Sequence, residues 1–90
     1  MKIIITGQDL RFMRVVADKT TSEMASYAGV KTRKTYENWE KGAGQPGMNQ
    51  WLSMVRHCGY EPELLIEQFV NRTDHNDPRL IDYELTRVSS

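Results

Sequence analysis

Apolar positions along this chain change spacing several times, and each change marks an element. Ile3-Ile4-Ile5-Thr6 is a β-branched run that predicts a short strand or an extended arm, because such side chains fit a pleated surface. Gly7 breaks it. From Gln8 onward Leu10, Met13, Val16 and Ala17 recur at three- and four-residue spacing, the pattern of a helix with one buried face, and Arg11 and Arg14 fall on another side. Thr20-Thr21-Ser22-Glu23 is a capping box: the Thr20 hydroxyl can accept from the N–H of Glu23, and the Glu23 carboxylate can accept from the N–H of Thr20. The helix it starts turns Met24, Ala25 and Ala28 inward and ends at Gly29, a left-handed C′ residue. At about nine residues it is too short to persist alone, so it must pack on its neighbours.

Thr32 is the next N-cap, and a third helix is expected from Arg33 to about Lys41. Tyr36 and Trp39 point the same way, inward, which leaves Arg33, Lys34, Glu37 and Asn38 on the other face. Gly42-Ala43-Gly44-Gln45-Pro46-Gly47 is a loop by composition. Met48, Trp51, Leu52 and Val55 form the stripe of a fourth helix that ends near Cys58-Gly59. Pro62 suits the first turn of a fifth helix, with Leu64, Leu65, Phe69 and Val70 on its face. Residues 71–77 are polar, and Asn76-Asp77-Pro78 signals a turn. Beyond it Ile81, Tyr83 and Leu85 alternate with Asp82, Glu84 and Thr86, which favours a strand by a small margin. A helix with Leu80, Ile81, Glu84, Leu85 and Val88 on one face fits nearly as well. The expected architecture is mainly α: a five-helix domain over residues 7–70, an arm or strand over 1–6, and a tail over 71–90 that forms a dimerisation strand or helix.

Composition narrows the class. The 90 residues are 39% hydrophobic and 27% charged, which describes one small globular domain without room for a cleft between domains. No stretch approaches the ~20 apolar residues of a membrane span. The single cysteine, Cys58, excludes a disulfide within the chain and fits a cytoplasmic setting. Formal charge sums to zero, but unevenly. Residues 10–42 hold seven Lys/Arg against four acids, and residues 43–90 hold four Arg against seven acids. A basic half of this kind points weakly to a nucleic-acid face.

Two short helices joined by a tight turn at Gly29 make a helix-turn-helix. The residues around it sharpen the picture: Leu10-Arg11 and Met13-Arg14, Thr20-Thr21-Ser22-Glu23-Met24-Ala25, Ala28-Gly29-Val30, Tyr36-Glu37-Asn38-Trp39-Glu40-Lys41-Gly42, Gln45-Pro46, Trp51-Leu52 and Gly59-Tyr60. In these, residues 7–66, about two-thirds of the chain, resemble the DNA-binding domain of the lambda-repressor/Cro family. The resemblance implies a five-helix fold and sequence-specific binding to double-stranded DNA. It also implies a small transcriptional repressor that meets an inverted-repeat operator as a homodimer. Three positions depart from the family pattern. Thr21 stands where the family usually has a phosphate-binding Gln, Lys31 lengthens the turn by one residue, and Gly47 replaces a Ser or Thr cap.

The residue types support the same chemistry. A recognition helix needs long donors near the end that enters the major groove, and Arg33 and Lys34 sit there. Arg can bind guanine O6 and N7 together, and Asn38 can pair with adenine N6 and N7. Glu37 can accept from a cytosine N4 amine, or merely pair with Arg33 one turn away. Thr20, Thr21, Lys31, Thr32, Thr35, Lys41 and Gln45 are candidates for phosphate contacts, with the helix N-termini at Thr20 and Thr32 adding N–H groups. Tyr36, Trp39, Trp51 and Met54 read as core.

Nothing comparable points to catalysis. His57, Cys58 and His75 do not make up the roughly four ligands of a structural zinc site. His57 reads as a helix C-terminal residue and Cys58 as a small buried apolar one. No nucleophile–base arrangement or phosphate-cradling glycine loop is present, so no enzyme, metal or cofactor is expected. The expected partners are DNA and a second copy of the chain, joined through the Ile3–Ile5 arm, the fifth helix and residues 78–88. The alternatives are an antitoxin whose acidic tail over 71–90 covers a toxin, and a protein-interaction module on the same fold.

Overall fold

In the computed structural model, which describes residues 5–74 and 81–88, five helices follow one another: α1 (Gly7–Val16), α2 (Thr21–Ala28), α3 (Arg33–Glu40), α4 (Met48–His57) and α5 (Pro62–Asp74). Ile3, Ile4, His75 and the Asn76-Asp77-Pro78 turn lie outside the described residues. The protein is mainly helical. Its only strand-like feature among the described residues is a single antiparallel bridge between Tyr60 and Arg87.

Caps set the helix starts. Thr20 and Glu23 form the expected box, with N–H to side-chain distances of 2.9 and 3.1 Å, and Gly29 closes α2 at φ 75°. A second box, not anticipated, starts α1. The Asp9 N–H donates to Thr6 Oγ1 at 3.2 Å and the Thr6 N–H to Asp9 Oδ2 at 2.8 Å. Gly47 starts α4 without a side-chain cap, and its N–H donates to Gln50 Oε1 at 2.8 Å.

The core is the one the apolar spacing selects. Leu10, Met13, Met24, Tyr36, Trp51, Met54, Leu65 and Phe69 are buried, as is Trp39. Helix α2 packs on α3 and α4, α1 packs on α3, and α4 on α5. Two stripe positions depart: Met48 and Leu64 are 57% and 43% exposed. Both lie in the first turn of their helix, at the edge of the packed region.

The stretch that alternates in sequence forms neither strand nor helix. Residues 83–86 are a turn, with Tyr83 and Thr86 buried and Leu85 73% exposed. The alternation fails because hydrogen bonds fix the chain. The Tyr83 hydroxyl donates to Asp9 at 3.0 Å, Arg87 donates to the carbonyls of Val16 and Cys58 at 3.0 and 3.2 Å, and the Glu61 N–H donates to the Thr86 carbonyl at 2.6 Å. Thr86 takes the inward place that alternation gives to Leu85. Residues 81–88 thus fold onto their own chain, and the expected strand over this stretch is not formed.

Asp9 holds this junction together. Its side chain is buried, and Arg72 on α5 donates to both carboxylate oxygens at 2.9 Å. Burial alone would raise the Asp9 pKa; the Arg72 guanidinium, the Thr6 N–H and the Tyr83 hydroxyl outweigh it and hold the carboxyl below the ordinary value.

Candidate functional site

The candidate surface is the outer face of α3, and its position depends on how α3 is seated. Three ties from α1 seat it. At Gly7 a Cβ would come under 3.0 Å from the carbonyl oxygens of Trp39 and Glu40, so only glycine lets the two backbones approach this closely. Arg14 Nε pairs with Glu40 Oε2 at 2.7 Å, and its Nη1 donates to the Lys19 carbonyl at 3.3 Å. The Tyr36 hydroxyl donates to the Leu10 carbonyl at 3.2 Å, and burial pushes that phenol up, so it stays a neutral donor. Tyr36 meets Trp39 edge-on inside the core.

With Tyr36 and Trp39 turned in, the predicted base-contact residues turn out. Arg33 and Lys34 are exposed at the start of α3, and Glu37 and Asn38 follow one turn later, half-buried. Thr32 occupies the N-cap position but makes no side-chain cap; its hydroxyl instead meets the Thr35 hydroxyl at 3.3 Å. The N–H groups of the first turn of α3 therefore keep their donors unused by a cap. Lys31 is exposed in the turn between α2 and α3, and Lys41 is exposed at the far end. No ion pair among the described residues engages Lys31, Lys34 or Lys41.

Some predicted residues meet and others do not. The Thr21 hydroxyl donates to Glu37 Oε2 at 2.8 Å, and Arg33 Nε lies 3.9 Å from the same oxygen. Thr20 stays with Glu23 in the α2 cap, whose backbone N–H lowers the pKa of the Glu23 carboxyl. Gln45 stands apart, exposed beside a shallow cleft that Ile5, Pro46, Met48 and Trp51 also line.

Sequence reasoning missed the supports. Ser53 Oγ donates to the Tyr27 carbonyl at 2.6 Å and so ties α4 to the last turn of α2. His57 stacks on the Tyr27 ring at 4.7 Å, and Lys19 Nζ lies 5.9 Å from that ring centre. Both the Arg14–Glu40 and the Ser53–Tyr27 bonds join residues 26 apart, where no local pattern signals them.

A groove of about 400 Å³ lies between α1 and residues 81–84, lined by Phe12, Val16, Ile81 and Tyr83. Asp9 and Arg72 also line it, but they are bonded to each other. Cys58 is buried against Met24 Sδ at 3.3 Å, and burial pushes its thiol up to about 11, which keeps it protonated. Among the described residues no three His, Cys, Asp or Glu side chains gather as metal ligands, and no helix is long and apolar enough to cross a membrane. In comparisons with known proteins the chain matches no family model, no curated protein and no solved structure.

Proposed function

We propose that this chain is a helix-turn-helix protein that binds double-stranded DNA sequence-specifically, with α3 in the major groove. In this reading it is a small cytoplasmic transcriptional repressor, bound as a homodimer to an inverted repeat. One observation carries the reading. Helix α3 is fixed from behind by Gly7, Arg14 and Tyr36, while its leading end keeps Arg33 and Lys34 exposed and its first N–H groups uncapped. A rigid helix with unused donors at its N-terminal end suits both base edges and phosphates. Arg33, Lys34, Glu37 and Asn38 are then the base contacts. Thr20, Lys31, Thr32, Thr35, Lys41 and Gln45 are the phosphate contacts.

The test is selection of bound duplexes from a random library, followed by a salt titration on the enriched sequence. An enriched inverted repeat, with affinity falling steeply as salt rises, supports the proposal. No enrichment, with no salt-dependent binding, overturns it.

A second reading rests on the opposite charge. Glu61, Glu63, Glu67, Asp82 and Glu84 are all exposed, and Leu85 is 73% exposed among them along the chain. Such a surface suits a basic protein partner, as when an antitoxin covers a toxin. A stable partner that co-purifies in fixed ratio, and is lost with Leu85→Lys, supports it.

A further inference from the structure

Glu37 is an unusual group to find on a surface meant for a polyanion, and its hydrogen bonds give it a purpose. We infer that Thr21, Glu37 and Arg33 form one reading unit that selects a G·C pair in each half-site. Thr21 positions the Glu37 carboxylate and does not bind phosphate. The inference rests on the DNA-binding reading above.

The geometry supplies three steps. The Thr21 hydroxyl crosses from α2 to α3 and gives its single proton to Glu37 Oε2 at 2.8 Å. That proton is then unavailable to a phosphate, and the neighbouring carboxylate repels one. Arg33 Nε stands 3.9 Å from the same oxygen. Both contacts fall on Oε2, so Oε1 keeps its lone pairs for a base amine.

The pair is therefore a donor-only guanidinium beside an acceptor-only carboxylate. A G·C pair offers the complement in the major groove: guanine N7 and O6 accept, and the adjoining cytosine N4 donates. O6 and N4 are hydrogen-bonded to each other in the pair, so they lie side by side, as Arg33 and Glu37 do on α3. An A·T pair offers Arg33 only one purine acceptor, N7, and sets the thymine O4 acceptor near the carboxylate. With Arg33 on the purine and Glu37 on the pyrimidine, G·C thus offers three hydrogen bonds against one for A·T, and the adenine N6 amine can reach Glu37 only if the carboxylate leaves its place beside the pyrimidine. Thr21 matters because a glutamate without it is free to swing to other rotamers and loses the alignment with Arg33.

The experiment repeats the library selection with the wild-type chain, Glu37→Gln, Thr21→Val and Thr21→Ser, each checked for an unchanged melting curve. The wild type should prefer G·C by about tenfold at one position per half-site. Glu37→Gln should abolish that preference or move it toward adenine, which an amide can bind through N6 and N7. Thr21→Val should weaken the preference about threefold at the same position, with other positions and the salt dependence unchanged. Thr21→Ser should restore it. An unchanged preference in Glu37→Gln overturns the inference while leaving DNA binding intact. So does a Thr21→Val chain that binds all sequences equally less well with a shallower salt dependence, because that identifies Thr21 as a phosphate contact. Failure of the wild type to enrich any duplex overturns the DNA-binding reading itself.

Discussion

Arginines in two regions of this protein stand in contrasting surroundings. At the junction of α1, α5 and residues 81–88, Arg72 grips a buried carboxylate with two bonds of 2.9 Å, and Arg87 is spent on the carbonyls of Val16 and Cys58. On the outer face of α3, Arg33 has a side chain 69% exposed and one loose contact at 3.9 Å. The same side chain is structural in one place and available in the other. Neutral net charge is consequently a poor guide here, because Arg72 and Arg87 of the acidic half are engaged internally. Lys31, Arg33, Lys34 and Lys41 are exposed along the turn and α3, while Arg11 and Arg56 are exposed on α1 and α4.

The largest effect is expected at Asp9. Asp9→Ala leaves Arg72 half-buried without its carboxylate, and should cost about 3–5 kcal/mol in urea unfolding. The DNA affinity of the remaining folded protein should not change. A pH series sharpens the point. The folded Asp9 pKa lies below its unfolded value, so its contribution is complete above the unfolded carboxylate range near about pH 4 and is lost as pH falls through the folded pKa. The stability gap between wild type and Asp9→Asn should therefore close on acidification. A gap that persists to low pH contradicts the role given to the Asp9 charge.

A smaller effect is expected where α1 meets α3. Gly7→Ala pushes a methyl group against the carbonyls of Trp39 and Glu40, and should cost about 1–3 kcal/mol in a thermal melt. Smallest is Lys31→Ala on the outer side. It should leave stability within about 0.5 kcal/mol and make the slope of log affinity against log salt shallower by about 1. A Lys31→Ala chain that melts early would place Lys31 with the structural cations instead.

Much of the helical frame was legible in the sequence because its signals are local. The Thr20–Glu23 box, the left-handed Gly29 cap and the inward Tyr36–Trp39 pair each join residues within about one turn. The α1 box was not read, because Asp9 stands where Glu or Gln is usual and an isoleucine run precedes it, so the segment reads as a strand or extended arm broken at Gly7. The end of the chain was not legible. Its conformation follows from partners 63 to 74 residues away, Arg72 and Tyr83 on Asp9, and no periodicity encodes them. At the candidate surface, helical spacing grouped Arg33, Lys34, Glu37 and Asn38 correctly on one face. The Thr21–Glu37 bond needed the packing of α2 on α3, which no local spacing encodes.

The central claim is that the exposed leading end of α3 contacts DNA while the interior ties only hold it in place. The direct measurement is a titration of the selected duplex with the wild-type chain and with Arg33→Ala/Lys34→Ala, alongside melting curves of both. An affinity about a hundredfold weaker with an unchanged melt is the predicted result. Equal affinity for that duplex in a folded double variant would contradict the claim and take α3 out of the interface.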